Sequence, residues 1–544
     1  MIPNQRHKID LEKLIVLIFD LTKGKGGFMK LLKISFLLIL LNIIPISCQY
    51  HPDKSIQPAT ADQAQHYVSI DGLWRCTPET ALKFPNGTLE PVIRISGDAY
   101  DNLKVQGCFL WEKRFYDYWK IKNFKFTDST NQLEMIFDEG NVFKGVLDQN
   151  KKMIHGKAYS NKWGDPENRG YENKLDFMRD EKSDENRFFF PRPAGVNGSI
   201  KYVYQQPEQI DNNLQTASIF QFINDSTAFF SLIERIIKPK FGRLESLLIL
   251  KDKKLVLEEY FYGYDRTQLH NIHSCTKSIV SLLLGIALKH NNKMNVDKSF
   301  FDFIPKYDSL KTKEKGQIKL KHVLTMTAGF GEAEDSENSN SGDQIHDILT
   351  LPMQTKPGEK FKYSNECSNL LGGIIYSLEG KQANEYAKEV LFGPLNISQF
   401  YWETENGIPH CYSDLHMRPR DMAKIGLLAL NKGYWRKKQI VPEEWIHISA
   451  KPHAAESEYF DYGYQWWYRS KQNKPWWKNP VRGGKTEHDM FLALGYGGQY
   501  IMIIKDLNIV IVTTSSDYNE SNGMAHSKIP MVIEEIVPLF EHSI

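Results

Sequence analysis

A serine and a lysine three residues apart, Ser274 and Lys277, have the types and spacing for nucleophilic chemistry. They open an apolar segment, 279–288, that does not keep to one stripe, which predicts a helix buried in a core. At this spacing both side chains project from one helical face. A serine hydroxyl needs an adjacent base, and a lysine can serve if burial removes its proton. The helix N-terminus favours negative charge developing near Ser274.

This S-x-x-K spacing carries little weight alone. A chain of 544 residues should show about two such matches by chance. The alternative interpretation is a serine that caps the helix, with a surface lysine in its first turn. The prediction therefore depends on partners elsewhere in the chain.

A second stretch, FKYSN at 361–365, carries a tyrosine and an asparagine two residues apart. Tyr363 beside a lysine ammonium would have a lowered pKa and could relay protons. Asn365 could hydrogen-bond the lysine or a substrate amide. A helix is predicted to follow at about 367–378. The alternative is a turn with a packed tyrosine.

A third stretch, GYGGQY at 495–500, lies between two apolar runs. Glycines inside a strand pattern mark close approach of a backbone or a ligand. Backbone N–H groups there could join that of the serine as an oxyanion hole. The predicted oxyanion- and substrate-binding residues are Ser274, Tyr496, Gly497, Gly498 and Gln499. The alternative is a β-bulge without chemistry.

Together these stretches resemble the serine β-lactamase-related family, which includes class C β-lactamases, penicillin-binding D,D-peptidases, family VIII esterases and aminohexanoate-dimer hydrolases. The residues that match its S-x-x-K and Y-x-N motifs are Ser274, Lys277, Tyr363 and Asn365. Residues 495–498 occupy the place of its K-T-G strand, and the resemblance covers about 226–537. It implies the family's α+β fold: an antiparallel sheet flanked by helices plus an all-helical part, with the site between them.

The third stretch departs from the family at Tyr496, which stands where β-lactamases carry the cation that meets a β-lactam carboxylate. This form is most similar to the aminohexanoate-hydrolase and esterase branch. We predict a serine hydrolase that cleaves an ester or amide through an acyl-enzyme on Ser274, with Lys277 and Tyr363 as proton relay. The alternatives are D,D-peptidase or β-lactamase-type activity, or a catalytically idle envelope protein that binds peptides.

Side chains near the third stretch bear on specificity. Four tryptophans could line an apolar acyl pocket or pack in the core: Trp466, Trp467, Trp476 and Trp477. Arg482 could still supply the missing cation.

The elements that must position these side chains follow from the patterns between the motifs. An amphipathic helix is predicted from Ser226 to about Ile237, with Ser226 or Thr227 as its cap. A hairpin is predicted over 247–261, with its turn at 251–254. The order is helix, strand, strand, and then the buried helix that begins with the nucleophile.

The predicted organisation has five parts: an upstream extension and signal peptide (1–48), a linker (49–66), an all-β accessory domain (67–182), a second linker (183–200) and the hydrolase domain (201–544). In the accessory domain, short alternating runs predict a small antiparallel barrel or sandwich. Its G-L-W at 72–74 resembles the opening of lipocalin-like barrels. For Trp74, Trp111 and Trp119 we prefer core packing over a ligand cage.

A basic start at 29–33, an apolar run at 34–44 and the Ser47-Cys48 junction predict a secretory signal peptide. Met29 is an alternative start to Met1. Cys48 resembles a bacterial lipoprotein cleavage site and is the predicted lipidation position. Ordinary signal cleavage and an uncleaved anchor are the alternatives. We expect export to the periplasm or cell envelope.

Composition limits the partners. The net charge is +2, and no basic tract argues for nucleic acid. Six cysteines in this length do not make a disulfide scaffold, although Cys76 and Cys108 could pair. Cys275 is predicted to be a packed small residue. Cysteines and histidines show no metal-ligand spacing, so we predict no metal and no cofactor. From the three motifs, the expected substrate is a small ester, amide or peptide.

Overall fold

The computed structural model describes most of the chain after residue 69. The described ranges are 70–84, 87–96, 103–111, 114–119, 121–137, 141–160, 171–182, 185–189, 191–192, 202–210, 214–238, 240–331, 342–473, 487–516 and 529–541. The predicted signal peptide, Cys48 and the first linker lie outside them. Within these ranges we find no helix of the length and hydropathy needed to span a bilayer.

The N-terminal part of the described chain is one antiparallel sheet. Its strands are β1 (Gly72–Cys76), β2 (Leu82–Phe84), β3 (Gly87–Ser96), β4 (Lys104–Trp111), β5 (Arg114–Trp119), β6 (Ile121–Thr127), β7 (Gln132–Phe137), β8 (Val142–Leu147), β9 (Met153–Ser160) and β10 (Tyr171–Arg179). They pair in the order β5-β4-β3-β1-β10-β9-β8-β7-β6, with β2 against β3. β4 also approaches β6, so the two ends of the meander curl toward each other. The all-β prediction is confirmed, while its boundaries remain predictions.

The inner face of this sheet is filled by aromatic side chains. Trp74 is fully buried, its indole Nε1 donates to the carbonyl of Ile70 at 3.0 Å, and the Arg179 guanidinium lies 5.6 Å from its ring. Phe143 and Phe177 meet edge to face at 5.4 Å. Core packing is therefore confirmed for Trp74. The side chains of Trp111 and Trp119 lie outside the described residues.

The two cysteines of this sheet lie on opposite faces. Cys76 packs in the inner cluster with Trp74, whereas Cys108 packs in the outer cluster with Phe188 and Phe189. Side chains on opposite faces of a sheet cannot meet. The suggested disulfide between Cys76 and Cys108 is therefore wrong.

The C-terminal part of the described chain is α+β. Its elements are β11 (Gln215–Thr216), α1 (Ser226–Ile237), β12 (Leu244–Lys251), β13 (Lys254–Tyr260), β14 (His270–Asn271), α2 (Cys275–His290), α3 (Leu320–Leu324), α4 (Gln344–Thr350), α5 (Asn365–Glu379), α6 (Ala383–Ala387), β15 (Phe400–Trp402), β16 (Thr404–Glu405), β17 (Ile408–Pro409), β18 (Leu415–Met417), α7 (Pro419–Leu430), β19 (Tyr434–Trp435), β20 (Lys438–Gln439), α8 (Glu443–Ser449), β21 (Ala454–Ala455), β22 (Asp461–Tyr462), β23 (Trp467–Arg469), β24 (Met490–Gly495), β25 (Gln499–Ile504), β26 (Ile509–Ser515), α9 (Ile529–Ile536) and α10 (Pro538–Glu541).

The main sheet has the strand order β11-β13-β12-β26-β25-β24-β23-β22-β21. All its pairs are antiparallel except β11 with β13. α7 packs on β12, β25 and β26, and α2 packs on α5 and β24. Strands β14, β18 and β15 form a small separate sheet in that order, and β14 comes shortly before α2 in the chain. The predicted antiparallel sheet with flanking helices is confirmed.

The predicted local elements are found with small shifts. The hairpin is β12–β13, and its turn residues Asp252 and Lys253 both have positive φ, as its tight turn requires. α1 has the predicted bounds, but its cap is Asp225, whose carboxylate accepts the N–H of Ala228 at 2.8 Å. Our choice of Ser226 or Thr227 was wrong by one or two residues. A carboxylate also complements the helix dipole.

Candidate active site

Ser274 lies immediately before α2 and makes no side-chain capping bond to the helix, so the capping alternative does not apply. The preceding residue, His273, has φ 45°. This left-handed conformation costs a non-glycine residue about 1–3 kcal/mol. Asn271 stabilises the turn, because its Oδ1 accepts the His273 N–H at 2.8 Å. The serine hydroxyl is thus presented from a strained, supported turn.

Lys277 is 1% exposed and meets three acceptors from three segments. Its Nζ lies 3.1 Å from Ser274 Oγ, 2.9 Å from Asn365 Oδ1 and 2.8 Å from the carbonyl oxygen of Tyr412. Burial lowers the pKa of Lys277 to about 7, against the opposing effect of the carboxylates of Glu366 and Asp414. The surface-lysine alternative is therefore excluded, and the neutral amine is accessible near neutral pH.

The ring of Tyr363 covers this lysine. Its centroid lies 4.8 Å from Lys277 Nζ, and its other face stacks on Trp467 at 5.6 Å. The residue is 37% exposed, but desolvation of its phenol raises the pKa of Tyr363 above its ordinary value, although its hydrogen bond with Ser274 acts in the opposite direction. The predicted lowering of this pKa was wrong, because desolvation of the phenolate outweighs the hydrogen bond with Ser274.

Asn365 is the first residue of α5, which fixes where its side chain points. The Ser364 hydroxyl caps the helix by accepting the N–H of Cys367 at 3.1 Å. The helix predicted at 367–378 is confirmed and begins two residues earlier. The tyrosine and asparagine therefore lie on either side of one helix start.

The third stretch forms the turn between β24 and β25, beside the nucleophile. A Cβ on Gly495 would lie 2.3 Å from the carbonyl oxygen of Ile272, so the expected close backbone approach is found. Tyr496 is 42% exposed, and its ring meets His273 edge-on at 6.0 Å. The Gly498 N–H donates to the carbonyl of Gly495 at 3.3 Å within the turn. The turn therefore adjoins Ser274, while the oxyanion roles remain predictions.

Two buried side chains anchor this turn, one to the nucleophile helix and one to β26. The Cys275 thiol donates to the carbonyl of Gln499 at 3.1 Å, and burial raises its pKa. This agrees with Cys275 as a packed residue. The Gln499 side chain donates inward to the carbonyl oxygen of Ser515. Gln499 thus faces the core with its side chain, and Gly497, at φ 78°, lies in the turn between it and Tyr496.

The tryptophans have different surroundings. Trp466 is 2% exposed and packs on Phe491 at 5.5 Å, so core packing holds for it. Trp467 is buried under Tyr363 and supports that ring. Trp476, Trp477 and Arg482 lie outside the described residues. In the described ranges, no group of three or more histidine, cysteine or acidic residues is arranged to hold a metal.

A family model described as Beta-lactamase matches residues 244–528, about half of the chain. The chain belongs to the β-lactamase family. Protein flp of Staphylococcus aureus is 27% identical over 176 residues, which span 30% of this chain and 35% of that protein. The match thus covers about a third of the first curated relatives' length.

One further relative and one solved structure are similar over more of the chain. An uncharacterized protein of Alkalihalophilus pseudofirmus is 23% identical over 305 residues, 51% of this chain and 85% of that protein. A crystal structure of a penicillin binding protein from Bacillus halodurans is 18% identical, with a TM-score of 0.43, over 57% of this chain and all of that one. In this β-lactamase-family chain, Ser274 and Lys277 lie inside the matched range.

Sequence reasoning missed Gln465, which ties three helices together behind the site. The Ser278 hydroxyl of α2 donates to its carbonyl at 2.7 Å, and Ser368 of α5 donates to its Oε1 at 2.7 Å. Its Nε2 donates to the carbonyl of Leu324 in α3 at 3.0 Å. The only signal was a lone amide inside the aromatic run YGYQWW at 462–467.

Sequence reasoning also missed the loop 410–414. It supplies the Tyr412 carbonyl to Lys277, and its Asp414 accepts the Asn271 side-chain amide at 3.1 Å. Backbone carbonyls carry no residue-type signal, so Tyr412 could not have been found from the sequence. The only indication of Asp414 in the sequence is that histidines and acidic residues lie near it, which is not specific to a functional residue.

We expect the free energy of unfolding to rise with pH from about 7 to the ordinary lysine pKa near 10.4. In that window the unfolded chain binds one more proton at Lys277, which gives about 1.4 kcal/mol per pH unit. Lys277→Met should remove this pH dependence from the free energy of unfolding, as measured by denaturant titrations across the window. Lys289→Met, on an exposed position of the same helix, should leave it unchanged. Parallel curves for wild type and Lys277→Met would contradict the lowered pKa.

Proposed function

We propose that this β-lactamase-family chain is an exported serine hydrolase that cleaves an ester or amide through an acyl-enzyme on Ser274. The observation that carries the proposal is the 3.1 Å contact between Ser274 Oγ and the buried Nζ of Lys277. Nucleophile and base within hydrogen-bond reach are what such a step needs. A pKa of about 7 for Lys277 suits general-base work at neutral pH.

The partners of Lys277 direct its lone pair. Asn365 Oδ1 and the Tyr412 carbonyl can only accept hydrogen bonds. A neutral amine therefore uses its two N–H groups on these oxygens and turns its lone pair to the remaining neighbour, Ser274 Oγ. In the proposed step Lys277 takes the hydroxyl proton as Oγ bonds to the substrate carbonyl carbon.

Tyr363 has a complementary role in the proposal. Because its pKa is raised, the phenol keeps its proton at neutral pH. Its hydroxyl interacts with Ser274, and its ring lies against Lys277. It would pass a proton to the leaving group and recover one from the lysine ammonium. The same two groups, used in reverse, would activate water for deacylation.

For the oxyanion we propose the backbone N–H groups of Ser274 and Gly497. The Gly498 N–H already donates within its turn, and the Gln499 side chain faces the core. Gly497 belongs to the turn that reaches His273 through Tyr496. Two backbone donors converging on the developing negative charge would stabilise the tetrahedral intermediate.

Two alternative functions are compatible with the fold. D,D-peptidase or β-lactamase-type activity would share the acyl-enzyme and differ in the acyl group. A catalytically idle envelope protein that binds peptides would need no buried lysine against a serine, and desolvating an ammonium is costly. The exposed phenol of Tyr496, in place of a cation, favours uncharged acyl groups over penicillins.

Ser274→Ala should abolish both turnover and labelling by a fluorophosphonate probe, while wild type hydrolyses p-nitrophenyl butyrate with a higher kcat/KM than nitrocefin. Ser377→Ala changes an exposed serine of α5 and serves as the control. Retained acyl-enzyme formation without Ser274 would refute the nucleophile. A preference for nitrocefin would refute the proposed specificity but not the nucleophile.

Lys277→Ala and Tyr363→Phe should each lower kcat by about 10³-fold, and the double variant should lose little more, because both belong to one proton relay. Steady-state kinetics on one chromogenic ester give the three ratios. Trp467→Phe keeps an aromatic support under Tyr363 and is the matched control. Multiplicative losses in the double variant would show that the two residues act separately.

We further propose that the mature protein is exported and that Cys48 carries lipid. The support is the basic start, the apolar run and the Ser47-Cys48 junction. Mass spectrometry of the mature N-terminal peptide should find an acylated Cys48, and Cys48→Ser should release the chain from membranes. Cytoplasmic localisation would refute export. A mature chain that begins elsewhere would refute only lipidation.

A further inference from the structure

The loop 410–414, between β17 and β18, contacts both sides of the proposed nucleophile–base pair. Its Tyr412 carbonyl accepts from Lys277 Nζ at 2.8 Å. Two residues later, the Asp414 carboxylate accepts from Asn271 Nδ2 at 3.1 Å. At the loop's end the Ile272 N–H donates to the carbonyl of Leu415 at 2.9 Å. One short loop therefore supports the lysine and the turn that presents Ser274.

Asp414 is the centre of this loop's hydrogen bonds. Its Oδ2 lies 2.9 Å from His410 Nδ1, and its Oδ1 accepts from Ser413 Oγ at 3.0 Å as well as from Asn271. Burial acts to raise the pKa of Asp414, but the bonds from His410, Asn271 and Ser413 outweigh it and hold the pKa at about 2. The carboxylate is thus ionised and can only accept.

An acceptor at this place fixes the Asn271 amide. Nδ2 must point to the Asp414 carboxylate, and this leaves Oδ1 for the His273 N–H. A rotated amide would instead set its NH₂ group against the His273 N–H, donor against donor. His273 is the residue in the left-handed conformation, so its support bears directly on the position of Ser274.

We propose that Asp414 is a positioning residue: it orients the Asn271 amide, which holds the His273 turn and so keeps Ser274 Oγ against Lys277 Nζ. The inference rests on the proposed role of Ser274 as nucleophile. Asp414 itself does not touch the reacting atoms. A nucleophile displaced by about 1 Å through such a remote change can lose about 10²-fold in rate.

A donor–acceptor swap tests this chain of contacts. Asn271→Asp places two carboxylates face to face and should lower kcat by about 10²-fold, with little change in KM. Adding Asp414→Asn to Asn271→Asp exchanges the two groups, restores one donor and one acceptor, and should recover most of the lost kcat. A purely structural role would change the amount of folded protein and leave kcat per folded molecule unchanged. No recovery in the double variant would overturn the proposal.

Two further measurements separate this proposal from the proposed function. Asp414→Ala should lower kcat, whereas Glu403→Gln, which alters another carboxylate–histidine pair at the same small sheet, should not. Unchanged kcat in Asp414→Ala would overturn the proposal. If wild type shows no Ser274-dependent turnover, the proposed function fails. Amide hydrogen exchange then tests the positioning role of Asp414 without any need for activity. Exchange over 271–274 should be faster in Asp414→Ala, and unchanged exchange would refute positioning by Asp414.

Discussion

The burial of the Lys277 amine is the constraint on which the rest of this site depends. An ammonium removed from water must either be compensated by neighbours or lose its proton. Here Asn365 and Tyr412 bring oxygens from chain positions 88 and 135 residues away. The charge is thus compensated only in part, which is why the pKa falls to about 7. At this point the fold brings two acceptors that are distant in the chain to one amine.

This constraint explains why α2 is buried from Cys275 to Leu288. An amphipathic helix would leave one face near solvent, and a lysine on that face would keep its proton. Burial on all sides demands close neighbours, and α8 supplies one through Trp445, whose indole donates to the Ser281 carbonyl at 2.8 Å. A Cβ on Gly285 would lie 2.3 Å from that ring, so the glycine permits the contact. Gln465 then fixes α2 against α3 and α5.

The sequence predicted the parts of the site that are encoded by residue type at short spacing. Ser274 with Lys277, and Tyr363 with Asn365, were found because the members of each pair are two or three residues apart at the start of one helix. The alternating runs likewise predicted an antiparallel sheet before the hydrolase part, although not its strand order. Tyr412 contributes only a carbonyl, and Asp414 acts through Asn271, so neither could be found before the fold was known. The pKa of Tyr363 was predicted in the wrong direction because its desolvation depends on Trp467 and Tyr462, which come a hundred residues later.

The electrostatics of the proposed base also bear on which acyl group suits the site. Glu366 and Asp414 already act to raise the pKa of Lys277. A substrate carboxylate brought close to the amine would act in the same direction, stabilise the ammonium and take the base out of use. A cation at the third motif would offset that effect, but Tyr496 brings a phenol instead. An uncharged acyl group would leave the pKa of Lys277 at about 7. The identity of residue 496 and the protonation of residue 277 are therefore linked, and both support the proposed preference for simple esters or amides over anionic substrates.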